Sequence, residues 1–204
     1  SVESNLLAAA SLIQQASAQG AQLIMLPESF AVFGDPQMVA HGAEASLPKR
    51  GLRLWLSQQA KANNVWLIGG TIPCQQGIRD INKVRSACFV YDSEGAEVAR
   101  YDKIHMFDVT VSDTERYYES KGYRPGDTAV LARTPWGSMG LSICYDLRFP
   151  ALYRILAQAG AVMLVVPSAF SRPTGEAHWH TLLRARAIEN GCFVLASAQT
   201  GEHP

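Results

Sequence analysis

The chain predicts an α/β fold built on a mixed sheet, and three observations carry that prediction. Short apolar, β-rich runs alternate with helical patterns along the whole length. Two turn signals, Asp92-Ser93-Glu94-Gly95 and Pro135-Trp136-Gly137, each sit between two strand-like runs and predict hairpins. The run Val162-Met163-Leu164-Val165-Val166 is apolar throughout, the pattern of a strand covered on both faces. No internal repeat, linker or low-complexity segment interrupts the 204 residues, so a single domain over residues 1–204 is expected.

Residues 3–19 read as an amphipathic helix with Leu6, Ala9, Ala10, Ile13 and Ala16 on one stripe and Gly20 as its stop. A strand over 22–26 ends at Pro27, which cannot donate to a ladder. A loop over about 29–48, carrying Gly34, Pro36 and Pro48, is expected to frame a pocket. A helix over 50–62 and a strand over 65–72 follow, then a hairpin pairing 83–91 with 96–102. The polar stretch 108–127 reads as a long loop, and long loops in compact domains are usually functional or disordered. A second hairpin pairs 129–133 with 137–143. Next come a helix over 150–158 ending at Gly160 and a strand over 162–166. A helix capped by Thr174 runs to about Asn190, with Gly191 beyond it, and a last strand covers 192–198.

At 48% hydrophobic the chain can build one sizeable core. Its 18 basic and 18 acidic side chains cancel, which argues against a nucleic-acid surface or an acidic tail. No apolar run approaches the roughly 18 residues that span a membrane. The first residues carry no signal-peptide pattern and no initiator Met, so a processed or trimmed start is expected. Cys74, Cys88, Cys144 and Cys192 form no CxxC pair, so neither a zinc site nor a redox motif is expected. Cys88 and Cys192 lie in apolar runs and read as core, while Cys74 at a strand end is ambiguous. Free thiols fit a reducing, cytoplasmic compartment.

Three strand ends deliver polar residues. The segment Gly140-Leu141-Ser142-Ile143-Cys144 stops abruptly on a cysteine, and a helical pattern follows. Such a turn holds the sulfur beside backbone N–H groups that lower its pKa and bind an oxyanion; free cysteine is otherwise usually a small buried apolar residue. Glu28 lies where Gln22-Leu23-Ile24-Met25-Leu26-Pro27 ends, and Lys103 lies near the end of the second strand of the first hairpin. Chemistry in open α/β sheets gathers at such ends, although each residue taken singly reads as a solvated charge.

Together these three segments resemble the nitrilase superfamily of carbon–nitrogen hydrolases, whose triad is Glu, Lys, Cys in that chain order. The matching residues are Glu28 in Leu26-Pro27-Glu28-Ser29-Phe30, Lys103 in Tyr101-Asp102-Lys103-Ile104-His105-Met106-Phe107-Asp108, and Cys144 in Cys144-Tyr145-Asp146-Leu147-Arg148-Phe149-Pro150. Pro167-Ser168-Ala169-Phe170, Thr174-Gly175-Glu176-Ala177-His178-Trp179 and the run from Leu183 to Asn190 are similar to the family's segments after the nucleophile. Tyr118-Glu119-Ser120, followed by Pro125-Gly126-Asp127, resembles the loop carrying a second family glutamate. Within the superfamily, the cysteine segment, Pro167-Ser168-Ala169-Phe170 and the closing Ala198-Gln199-Thr200-Gly201-Glu202-His203 are most similar to the amidases that cleave deaminated glutathione. The ω-amidase branch, acting on α-ketoglutaramate and α-ketosuccinamate, is similar but less so.

The resemblance implies a four-layer αββα sandwich and hydrolysis of a small linear amide to an acid and ammonia through a cysteine thioester. It implies Cys144 as nucleophile, Glu28 as general base, and Lys103 with the Tyr145 N–H as oxyanion donors. Glu119 would orient Lys103 or the substrate amide; Arg148 would bind a substrate carboxylate or pair with Asp146; Tyr117, Tyr118 and Phe170 would line the pocket. No metal or organic cofactor is expected, and a homodimer is implied. A Cys144–His105 pair is conceivable but leaves Glu28 and Lys103 unexplained. His178 and His180 are expected to pack or cap, Arg184 and Arg186 to make ion pairs on a helix flank, and Trp179 to sit in the core. The family's first strand and its final strand pair and tail have no counterpart here, so the chain is expected to be truncated at both ends, with exposed sheet edges. Acyl transfer, nitrile hydrolysis and a catalytically silent interaction module are the competing function classes.

Overall fold

The computed structural model describes residues 1–34, 36–77, 79–110 and 116–201. In chain order the elements are α1 (Val2–Ala18), β1 (Leu23–Met25), α2 (Met38–Glu44), α3 (Gly51–Asn63), β2 (Trp66–Ile68), β3 (Ile72–Cys74), β4 (Arg85–Tyr91), β5 (Glu97–Asp102), β6 (Asp108–Thr110), β7 (Arg116–Tyr118), β8 (Leu131–Thr134), β9 (Gly137–Leu141), α4 (Pro150–Gln158), β10 (Ala161–Ser168), α5 (Arg172–Asn190) and β11 (Phe193–Ala198). In the first sheet β1 runs parallel to β2, and β2, β3 and β5 all pair antiparallel with β4. In the second sheet β9, β10 and β11 are parallel and β8 returns antiparallel along β9.

Side-chain alternation along β4 makes the sandwich. Ala87, Phe89 and Tyr91 pack with Ile13 of α1 and Leu56 of α3. Cys88 and Val90 point the other way, into a core shared with Met139, Leu141, Leu164 and Val166 of the second sheet. The helices α4 and α5 close the far side, packed on β10 and β11 respectively. The layer order is therefore helix, sheet, sheet, helix, as the sequence resemblance implied. Among the described residues no helix is long and apolar enough to cross a membrane.

Several elements differ from the sequence-based expectation. The apolar run 65–72 is not one strand. Ile68 opposes Val90 but Ile72 opposes Ala87, so four residues on this side face three on β4. The extra residue is accommodated at Gly69-Gly70, where Gly69 N–H still donates to Phe89 O at 2.8 Å. The stretch 29–48 holds α2, whose Gly42 packs directly against Val84. The stretch 108–127 contains the hairpin β6–β7 and a short 3₁₀ turn, Glu119–Lys121, with residues 111–115 outside the described residues. Ser171, not Thr174, occupies the cap position of α5; the Thr174 hydroxyl lies in the first turn and donates to Ser171 O at 3.2 Å.

Gly70 carries the backbone past the turn that bears Glu28. It has a φ of +54°, and a Cβ there would stand 2.1 Å from Pro27 O. Gly70→Ala should therefore lower unfolding free energy in urea by about 2–4 kcal/mol. Gly77→Ala has open space around it and only a positive φ to accommodate, so it should cost about 1 kcal/mol. Equal losses would mean that crowding against Pro27 is not what the glycine relieves.

Candidate active site

The C-terminal ends of β1, β5, β9 and β10 converge on one cavity of about 850 Å³. Past β1, the chain turns at Glu28-Ser29. Ser29 adopts a left-handed φ of +55°, and its N–H donates to Thr71 Oγ1 at 2.8 Å, which locks the turn. Past β5, Lys103 N–H still donates to Ser86 O at 2.9 Å, so the lysine backbone remains part of the sheet. Past β9, Ser142 bonds Val165 O through both its N–H and its hydroxyl, and then Cys144 turns with φ +47°. A Cβ-bearing residue in that region costs on the order of 1–3 kcal/mol, so the neighbouring bonds must hold it.

Lys103 Nζ lies 2.9 Å from Glu28 Oε1 and 2.9 Å from Glu119 Oε1. All three side chains are largely withdrawn from water, Lys103 to 2% exposure. The second oxygen of each carboxylate is also used: Glu28 Oε2 accepts Ala169 N–H at 2.8 Å and Glu119 Oε2 accepts Phe107 N–H at 2.6 Å. An ammonium has three donors, so two are committed to carboxylates and one remains for the cavity.

Burial disfavours the charge on Lys103, but Glu28, Cys144 and Glu119 together hold its pKa well above the ordinary lysine value. Burial pushes Glu119 up, against the pull of Lys103. Cys144 departs from the sequence reading. Burial raises its thiol well above the usual value, and the negative charge of Glu28 adds to the rise; Lys103 and the Ala169 N–H pull downward without reversing it. Burial together with the Glu28 carboxylate therefore favours the neutral thiol of Cys144 over a standing thiolate. Its backbone neighbour Tyr145 precedes the first bond of the 3₁₀ turn, Asp146 N–H to Ile143 O, so its N–H has no carbonyl to meet inside the turn.

The family model for carbon–nitrogen hydrolases matches residues 1–204. The chain belongs to the carbon–nitrogen hydrolase family. It is 43% identical over 185 residues to a deaminated glutathione amidase of Yersinia enterocolitica, covering 90% of this chain and 64% of that protein. It is 39% identical over 194 residues to the human omega-amidase NIT2, covering 95% of this chain and 68% of that protein. Saccharomyces cerevisiae Nit3, a member of branch 10 of the nitrilase superfamily, superposes with a TM-score of 0.82 at 31% identity, over 97% of this chain and 70% of that one. The chain thus spans about two thirds of the length of the curated relatives named here.

In this carbon–nitrogen hydrolase the cavity wall contains Glu28, Lys103, Glu119, Cys144, Tyr145, Arg148 and Phe170, together with Tyr117 and Tyr118. Arg148 does not pair with Asp146. It lies 3.3 Å from His178 Nδ1 and above the Phe170 ring, 5.6 Å from its centroid, because the Asp146 carboxylate is fully buried and already occupied. His105 is drawn away to Asp146 at 2.7 Å and is not part of the cavity wall, so a Cys144–His105 pair does not form. His178 and His180 are exposed rather than packed. Arg186 is buried, donating to Leu147 O and pairing with Glu189, while Arg184 stays exposed. Trp179 packs edge-on to Phe170 at 4.9 Å. Of the closing segment, Gln199 Nε2 donates to Glu28 O at 3.0 Å; Glu202 and His203 lie outside the described residues.

The sequence reading gave no role in the site to Ala169, to Gln199 or to Tyr123, which also lines the cavity, and named Asp146 only as a partner for Arg148. Ala169 and Gln199 act on Glu28 from 141 and 171 residues away, and no local pattern carries that signal. If Glu28 raises the thiol pKa, Glu28→Gln should move the pH midpoint of iodoacetamide addition at Cys144, read by peptide mass mapping, to lower pH. Lys103 then acts on the thiol without its nearest opposing charge. A midpoint that stays or rises would refute this account of the site.

Proposed function

We propose that the protein is an amidase that releases ammonia from a small carboxylated ω-amide, with deaminated glutathione as the substrate. The observation that carries this reading is the buried Glu28–Lys103 ion pair, which shares one cavity wall with Cys144. Cys144 Sγ attacks the amide carbon as Glu28 takes the thiol proton. The free N–H of Lys103 and the Tyr145 N–H receive the developing oxyanion. Protonated Glu28 returns the proton to the amide nitrogen, the C–N bond breaks and ammonia leaves a Cys144 thioester. Glu28 then deprotonates water, which attacks the thioester, releases the acid and restores the thiol. Glu119 holds Lys103 in place throughout.

Two features favour a long anionic substrate over a short one. The cavity of about 850 Å³ exceeds what a five-carbon monoamide fills, and Arg148 and Arg172 are among its lining residues, Arg172 with its guanidinium paired to Glu176. Phe107, Tyr117, Tyr145 and Phe170 add aromatic surface to the same wall. The alternative within the same chemistry is an ω-amidase acting on α-ketoglutaramate. We place the protein in the cytoplasm, a reading supported by four free thiols. We also propose a homodimer through the α5–β11 face, where Ile188 and Phe193 are 81% and 77% exposed.

Ammonia release from deaminated glutathione and from α-ketoglutaramate, measured side by side, tests the assignment. A higher kcat/KM for deaminated glutathione is expected, and preference for α-ketoglutaramate would transfer the protein to the ω-amidase reading. Cys144→Ala should reduce turnover by about 10³-fold or more while thermal unfolding stays cooperative. Residual ammonia release at a few per cent of the parent rate would exclude the thioester route. Arg148→Gln should raise KM about tenfold with a smaller change in kcat, as loss of one substrate carboxylate contact requires.

A further inference from the structure

Asp146 is fully buried, and its carboxylate accepts four bonds. Oδ2 takes Ile143 N–H at 2.9 Å and the Tyr101 hydroxyl at 2.7 Å. Oδ1 takes His105 N–H at 3.0 Å and His105 Nδ1–H at 2.7 Å. Every lone-pair direction of the carboxylate is thereby filled. The His105 ring is stacked on Phe149, centroids 3.5 Å apart and planes within 8°, which fixes its orientation.

The donors are distributed in a telling way. Ile143 immediately precedes Cys144, and Asp146 N–H also returns to Ile143 O, so the two residues bracket the left-handed cysteine with a pair of bonds. Tyr101 and His105 stand two residues before and two residues after Lys103. One carboxylate thus joins the backbone that presents the sulfur to the backbone that presents the ammonium, across the two sheets.

We propose that Asp146, with Tyr101 and His105, is a positioning group that sets the distance from Cys144 to Lys103, and with it the geometry of attack. The inference rests on the catalytic reading of those two residues. His105 serves as a fixed donor to Asp146 and takes no proton from substrate or thiol. An error of the order of 1 Å in such placement lowers turnover about 10²-fold.

The experiment compares Asp146→Asn, Tyr101→Phe, His105→Ala and His105→Asn with the parent. Two readouts are taken: kcat and KM for ammonia release from deaminated glutathione, and the second-order rate of iodoacetamide addition at Cys144 of the folded protein, read by peptide mass mapping. Asparagine can present an N–H to Asp146 in place of Nδ1–H, whereas it cannot carry a proton in catalysis. His105→Asn should therefore recover at least tenfold of the kcat lost in His105→Ala, with KM little changed in either. Asp146→Asn turns a donor toward two donors and should lower kcat about 10²-fold. Tyr101→Phe, which keeps the ring in the core, should give a smaller loss in the same direction. The alkylation rate should change with kcat across the series, and it remains readable if deaminated glutathione is not the substrate, so failure of the proposed function is separable from failure of this inference. His105→Asn as inactive as His105→Ala would make His105 a proton carrier and overturn the proposal. Variants that lose only thermal stability, with kcat and alkylation of the folded fraction intact, would overturn it as well.

Discussion

Lys103 is an ammonium at 2% exposure, and the site depends on how that charge is accommodated. Withdrawing such an ion from water costs several kcal/mol, which only close partners with their own remaining bonds satisfied can offset. Glu28 and Glu119 meet that requirement from different parts of the chain, one after β1 and one in the short turn after β7. Each carboxylate is in turn anchored by a backbone N–H. The same arrangement that keeps the lysine charged holds the Glu28 carboxylate in the cavity wall that also contains Cys144, and leaves one ammonium donor unused by the carboxylates. Stability of the buried triad and readiness for chemistry therefore have a common physical source.

The second requirement is strain held in place. Three described non-glycine residues have left-handed backbones, Ser29, Asn64 and Cys144. Asn64 ends α3, a common position for that conformation. The other two flank the cavity, so the strain not explained by helix termination is concentrated where side chains must leave the sheet plane. Bonds from Thr71 and from the Asp146 carboxylate hold these two turns.

Much of this was legible in the sequence because apolar strands end abruptly. Pro27 stops the first, Cys144 interrupts the second, and the hairpin around Asp92-Ser93-Glu94-Gly95 fixes where Lys103 falls. Glycines at 20, 160 and 191 marked helix ends correctly because each has a positive φ just past the last turn. The break at Gly69-Gly70 was hidden because nothing local signals it: Gly70 meets Pro27 O of the turn after β1, a contact made only in the assembled fold. The helix α2 was obscured by the surrounding prolines and glycines, and β6–β7 by its polar composition. The direction of the Cys144 pKa was misread for a related reason. Helix-end N–H groups are visible in a sequence, whereas the burial that outweighs them is a property of the assembled layers.

The Glu28 turn is tied to Lys103 across 75 residues, to Ala169 across 141 and to Gln199 across 171. Contacts of such separation are the last to become favourable as a chain folds, because the loops they close are the longest. During synthesis Cys144 would spend its early life on an incomplete sandwich, without Ala169 or Gln199 to fix Glu28. In the proposed mechanism the thiol becomes chemically competent only when almost every strand is in place, so a partly folded chain would carry a nucleophile that has not yet been armed.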